Sequence, residues 1–205
     1  MLAEDAQRCW IEPLPAGAAG QFLLRLKPLA DWAHEEPSTR FAHAVDLHVD
    51  AGRLDGAWRC AGERLPLPSQ SVARIELRYV LEAVDAPDAL LAECARALCP
   101  EGRLWVAGLN PLGLARLRWG RCGLRALSAS KVAAMLEDEG LTVLRRQALG
   151  AHWRLPRSAA SRASGMAFEP GRIAWGLLAT RRDPSVTPLR RAAPAWRALP
   201  GVPAR

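Results

Sequence analysis

Apolar positions change their spacing several times along the chain, and each change predicts an element. From Gly17 to Glu36, Phe22, Leu23, Leu26, Leu29, Ala30 and Trp32 recur at three- and four-residue steps, which predicts a helix with one apolar stripe. Pro28 kinks or splits it and Pro37 marks its exit. Phe41 to Val49 alternates apolar and polar side chains, a strand pattern. Ala51 to Gly56 has turn chemistry, and a short strand is expected at Ala57 to Cys60. A proline-rich connection leads to a clearer strand at Ala73 to Tyr79. A helix through Leu90, Leu91, Cys94, Ala95 and Leu98 follows, with Asp85 or Asp88 as its cap and Pro100 and Gly102 as its stop. Arg103 to Gly108 reads as a short buried strand. Ser128 or Ser130 opens a second helix, with Val132, Met135 and Leu136 on one side and Gly140 at its end. Leu141 to Leu149 and Ile173 to Arg181 are the last strands, separated by a loop rich in Ser, Arg and Gly. Prolines at 184, 188, 194, 200 and 203 predict an extended or disordered end.

Strands alternating with helices predict an α/β fold with a mostly parallel sheet. The final two strands lack a helix between them, so they are expected to pair antiparallel. The chain then divides into a lead-in and helix (1–40), an α/β domain (41–183) and a basic, proline-rich tail (184–205).

Composition narrows the class. With 205 residues, 50% hydrophobic and 24% charged, the chain suits one soluble domain. No run of eighteen apolar residues suggests a membrane span, and the acid-bearing N-terminus has no apolar h-region, so a cytoplasmic protein without a membrane role is expected. Cys9, Cys60, Cys94, Cys99 and Cys122 form no CxxC pair and are read as free, mostly buried thiols. The histidines are scattered, so no metal site is expected. The net charge of +7 is uneven: Arg181 to Arg205 holds six arginines and one acid. Arg116, Arg118, Arg121 and Arg125 surround Trp119 without an acid. Both segments are either solvated surface or contacts for RNA or an acidic partner.

Three motifs stand in order between Leu65 and Gly102. They are Leu65-Pro66-Leu67 before a strand, Val80-Leu81-Glu82-Ala83-Val84 after it, and Arg96-Ala97-Leu98-Cys99-Pro100-Glu101-Gly102 before the next. This order resembles the second half of a class I S-adenosylmethionine-dependent methyltransferase of the type 11 kind. Gly108-Leu109-Asn110-Pro111, followed by Leu112-Gly113-Leu114, resembles the G-F-N-P-x-S-L segment of a small bacterial subgroup. Thr187-Pro188-Leu189-Arg190 resembles that subgroup's tail. The resemblance implies a Rossmann-like fold, S-adenosylmethionine as cofactor and a donor pocket at the carboxyl ends of the central strands. Such a donor is already activated, so positioning carries most of the catalysis.

Aligned this way, the strand ending near Val49 takes the first place in the sheet. The family's glycine-rich loop then corresponds to His48-Val49-Asp50-Ala51-Gly52. Seven residues separate Val49 from Ala57, too few for a parallel crossover of at least ~10–12. The expected fold is therefore a reduced one, lacking the first helix and second strand. The family's adenine-binding acid corresponds to Ala61. The resemblance leaves Asp50, Gly52, Gly62, Glu63, Arg78 and Tyr79 to hold the cofactor, with Tyr79 and Asn110 as candidate catalytic groups. Each has a plainer reading: Tyr79 as a packing residue, Asn110 as a turn, Glu82 as a hydrogen-bonding brace. Three functions stay open: a methyltransferase of unknown substrate, a pseudo-methyltransferase that binds a partner, or an RNA-associated accessory protein.

Overall fold

The computed structural model describes residues 22–31, 41–112, 124–152 and 172–182. Among them, seven strands form one sheet in the order β3-β2-β1-β4-β5-β7-β6. The strands are β1 (Phe22–Lys27), β2 (His43–Asp50), β3 (Arg53–Gly56), β4 (Val72–Arg78), β5 (Leu98–Leu109), β6 (Leu141–His152) and β7 (Arg172–Arg181). Helix α1 (Pro87–Ala97) joins β4 to β5, and α2 (Ala129–Asp138) precedes β6. Strands β2, β1, β4 and β5 run parallel, while β3, β7 and β6 are antiparallel to their neighbours. The expected fold class and its antiparallel end are borne out.

Several expectations near the front of the chain are corrected. Phe22–Lys27 is a strand, where the apolar spacing suggested a helix. It pairs parallel with both β2 and β4, so Phe41–Val49 supplies the second strand of the sheet instead of the first. Leu23 and Leu24, on opposite faces of β1, are both buried, and such a short apolar run fits a central strand as well as a helix. The strand thought missing is therefore present, and the sheet begins at Phe22, ahead of residue 41. Arg53–Gly56 forms β3 where a turn was expected, and residues 57–60 are no strand; Cys60 makes only an isolated bridge to Leu54. Ala51 (φ 48°) and Gly52 (φ 79°) both adopt left-handed backbone, which closes a two-residue hairpin between β2 and β3.

The helices follow their sequence signals more closely. Ser128 caps α2, its side chain accepting the Lys131 N–H at 3.2 Å, and Gly140 at φ 77° ends it. Helix α1 has no side-chain cap: Ala86 takes that place, and Pro87 enters the first turn. Neither Asp85 nor Asp88 serves as the expected cap. At the other end, Arg181 of β7 donates to the Ala95 and Leu98 carbonyls, satisfying acceptors the helix leaves open.

Both helices cover one face of the sheet. Leu24, Leu26, Leu47, Ile75, Leu77 and Leu104 meet Leu90, Leu91, Val132 and Leu136 there. The opposite face carries Arg25, Asp46, Arg74, Glu76, Arg78 and Trp105, and neither described helix lies on it. Arg25 Nε contacts Asp46 Oδ1 at 2.6 Å. Glu76 sits between two arginines, 2.9 Å from Arg74 Nε and 3.0 Å from Arg78 Nη2. Burial presses the Arg74 guanidinium below its usual pKa, and Glu76 opposes that shift.

Cys60, Cys94 and Cys99 are free thiols, as expected; Cys9 and Cys122 lie outside the described residues. Burial pushes Cys94 up to about 12, so it is a packing residue.

Candidate functional site

In an open parallel sheet, ligands bind outside the carboxyl ends of the strands, where the strand order reverses. Here that place lies between β1 and β4. Three chain segments meet beside it: the β2–β3 hairpin, residues 61–63, and the β4–α1 loop. Gly52, Arg53, Ala61, Gly62, Glu63, Val84, Asp85 and Ala86 line a cavity of about 70 Å³. A Cβ on Gly52 would lie 2.5 Å from Asp85 Oδ2, so the Asp85 carboxylate stands directly over the missing side chain. Residues 61–63 reach this edge because β3 turns back on itself: Leu54 and Cys60 exchange backbone hydrogen bonds of 3.0 and 2.9 Å.

The Leu-Pro segment that follows is clamped to α1. Arg96 donates to the Leu65 and Leu67 carbonyls at 3.2 and 3.0 Å, and Glu93 accepts the Leu65 N–H at 2.9 Å. The Arg96 guanidinium holds the Glu93 carboxyl below the usual carboxylate range. The first and third motifs of the sequence are thus the two sides of one clamp, which holds the segment after Glu63 against α1.

Of the expected cofactor residues, Gly52, Gly62 and Glu63 line this cavity. Asp50 lies at the end of β2, paired with Arg59 at 2.8 Å. Arg78 faces the other side of the sheet, its guanidinium 6.0 Å over the Trp105 ring. Tyr79 is buried and packs with Trp105, Ala107 and Leu178, and its φ of 54° is uncommon for a residue with a side chain. Asn110 forms a turn: its Oδ1 accepts the Leu112 N–H at 3.0 Å and its N–H donates to the Ile173 carbonyl at 2.9 Å. Asp85 was read only as a helix cap, yet it faces the glycine of the hairpin. Proximity between residues 52 and 85 comes from the fold and leaves no local signal. Arg116, Arg118, Trp119, Arg121 and the basic tail beyond Arg182 lie outside the described residues; Arg125 is exposed.

The correction to β1 also moves the position that corresponds to the family's glycine-rich loop. Residues 28–42 connect the first strand to the second, whereas His48–Gly52 belongs to a strand end and hairpin. No glycine occurs between residues 28 and 42.

Glu82 lies just beyond β4, 3% exposed. Its Oε1 accepts the Leu109 N–H at 2.5 Å and its backbone carbonyl accepts the Arg125 N–H at 3.3 Å. It braces the loop after β4 against the end of β5. Burial pushes its carboxyl up to about 7, with the Leu109 N–H pulling the other way. A carboxyl raised in the folded state stabilises the fold fully below its unfolded pKa near 4.5 and loses that contribution as pH rises through about 7. The loss amounts to roughly 3 kcal/mol. Glu82→Gln is expected to flatten this slope and to raise stability above pH 7. Urea denaturation at pH 5 and pH 8 measures it, and an unchanged slope in the Gln variant assigns the effect to another group.

Residues 30–106 match the family model described as a methyltransferase domain, a little over a third of the chain. Among solved structures, the chain resembles a SAM-dependent methyltransferase from Archaeoglobus fulgidus, with TM-score 0.61, 13% identity, and coverage of 87% of this chain and 93% of that one. It also resembles one from Thermotoga maritima, with TM-score 0.54, 15% identity and 88% of each chain covered. A third is geranyl diphosphate C-methyltransferase from Streptomyces coelicolor A3(2), with TM-score 0.57, 15% identity, and 88% of this chain and 78% of that one covered. No curated protein matches the sequence. The resemblance to class I, type 11 methyltransferases is thus borne out by the family model, and the Rossmann-like methyltransferase fold by the structures. Among the described residues no helix is long and apolar enough to cross a membrane.

Proposed function

We propose that the protein is an S-adenosylmethionine-dependent methyltransferase whose donor lies along the carboxyl edge of β1, β2 and β4. The observation that carries this reading is the cavity at that edge, lined by Gly52, Gly62, Glu63 and Asp85. These residues suit the adenosine end of the cofactor. Two carboxylates offer acceptors to hydroxyl or amino groups, and Gly62 lets the ligand approach its backbone N–H. At about 70 Å³ the cavity holds only part of such a ligand, since small-molecule sites occupy ~300–1,000 Å³. The bound cofactor would supply a sulfonium methyl group. The chain's own part is to hold that donor and the acceptor in line at the ends of β4 and β5, where Glu82 fixes the two loops against each other.

A second reading has a specific observation in its favour. The glycine-free stretch 28–42 lacks the bare backbone that lets a methyltransferase loop approach its cofactor. It supports a protein that keeps the fold and binds a partner without catalysis. Isothermal titration with S-adenosylmethionine and S-adenosylhomocysteine separates the two. Saturable micromolar binding, weakened about tenfold by Glu63→Gln with Asp85→Asn (~1.4 kcal/mol), is the expected result. No heat up to millimolar ligand replaces the first reading with the second.

A further inference from the structure

We propose that Lys27, the last residue of β1, holds a carboxylate of the bound ligand, the one at the amino-acid end of the methyl donor. The assignment rests on the donor reading of the carboxyl edge given above. Lys27 is 9% exposed, and no carboxylate or carbonyl among the described residues pairs with its ammonium. A lysine is seldom buried to that degree unless it is paired. One that merely laid its stem along the sheet would keep its head in water.

The neighbouring strands show why this charge stands out. Side chains alternate along a strand, so Lys27 shares the helix-free face with Arg25. One row back, Arg25 pairs with Asp46 of β2 and lies beside Glu76 of β4, so acids flank the base on both sides. In the last row, Lys27 lies beside His48 of β2 and, one step past Leu26 and Leu77, beside Arg78 of β4. That row contains no acid. Arg78 donates back to Glu76 in the row behind.

The row also has a direction. Lys27 and Arg78 end their strands at the carboxyl edge, at the switch point where an open parallel sheet takes its ligand. Residues 28–42, which follow, contain no glycine, so a ligand there meets side chains and not bare backbone. An ammonium supplies a charge-assisted hydrogen bond to an anion in that place. The donor's sulfonium and amino groups are cationic, which leaves its carboxylate as the group that Lys27 attracts. In the donor reading the adenosine lies in the cavity between the β2–β3 hairpin and the β4–α1 loop. Strand β1 stands between β2 and β4, one spacing of about 4.8 Å from each, within reach of the short amino-acid arm. The two ends of the donor are then held by opposite charges, the adenosine by Glu63 and Asp85 and the carboxylate by Lys27.

The test is isothermal titration of the full chain with S-adenosylhomocysteine and with its decarboxylated analogue, which keeps the sulfur and the ammonium. Lys27→Met is expected to weaken S-adenosylhomocysteine about tenfold or more and to leave the analogue within about twofold. Lys27→Arg keeps the charge and should recover part of the loss. Without ligand, the Met variant should unfold no more than roughly 5 °C below wild type, and Lys27→Gln replaces it if it fails to fold. Equal weakening of both ligands, or no weakening of either, overturns the assignment and leaves the donor site standing. So does a larger fall in the thermal midpoint, which would give the ammonium a structural partner. A wild type that binds neither ligand removes the donor reading and the assignment with it. Stabilisation by inorganic phosphate that Lys27→Met abolishes would then give the lysine to a free anion instead.

Discussion

Glu76→Gln is expected to destabilise the protein by about 3–5 kcal/mol, the usual effect of removing one member of a buried ion pair. Its carboxylate lies within 3.0 Å of both Arg74 and Arg78, and all three are less than a tenth exposed. The amide keeps the shape and one acceptor but no charge, so two guanidinium groups lose the carboxylate they share. For a chain of this size the thermal midpoint should fall by roughly 10 °C. Glu76→Asp restores the charge at a shorter reach and should recover part of the loss. A Gln variant whose unfolding free energy stays within about 0.5 kcal/mol of wild type would show that the cluster contributes nothing to stability.

Gly108→Ala is expected to cost about 3–4 kcal/mol, an overpacking penalty plus a lost hydrogen bond. A Cβ there would lie 2.2 Å from Trp175 Cζ2 and 2.6 Å from its Cε2. The indole has no room to move away. Trp175 is 4% exposed, and its N–H is shared between the Leu109 and Leu127 carbonyls at 3.0 and 2.8 Å. Gly140→Ala provides the contrast, because nothing lies within 4 Å of that site and only its φ of 77° resists a side chain. It should lose about 1–2 kcal/mol. Urea denaturation of the two variants measures the difference. Equal losses would mean that backbone conformation, not the Trp175 contact, decides both.

Much of the sheet was legible because its strands carry distinct local signals. Ile75 and Leu77 alternate with charged residues in β4, and Ser128 and Gly140 bracket α2 with matching backbone geometry. Strand β1 was not legible for a physical reason. Phe22, Leu23, Leu24 and Leu26 are closely spaced and followed by Leu29 and Trp32, so the pattern satisfies a helical stripe as readily as a buried strand. That single ambiguity shifted the position expected for the family's glycine-rich loop from 28–42 to the β2–β3 hairpin. Alternating charges in β4 would ordinarily mean a solvated face; Arg74, Glu76 and Arg78 are instead buried, with Glu76 pairing both arginines within the strand. At the cavity, Gly52, Gly62 and Glu63 were found through the family motif. Asp85 was not, since its position over Gly52 depends on how the hairpin meets the loop after β4.

The placement of β1 also sets the order in which the sheet can assemble. The β2–β3 hairpin closes over two residues and forms quickly, on the microsecond scale typical of hairpins. Strand β1 must then find β4, whose partners in the register lie about fifty positions further along, Phe22 with Val72 and Leu26 with Leu77. Loop closure over such distances slows folding. During synthesis from the N-terminus, β1 leaves the ribosome well before β4 and holds one edge open until it arrives. Leu24 and Leu26, fully buried in the finished molecule, spend that interval in water or on a chaperone. A slow translation step between residues 50 and 72 would lengthen the exposure, and a faster one would shorten it.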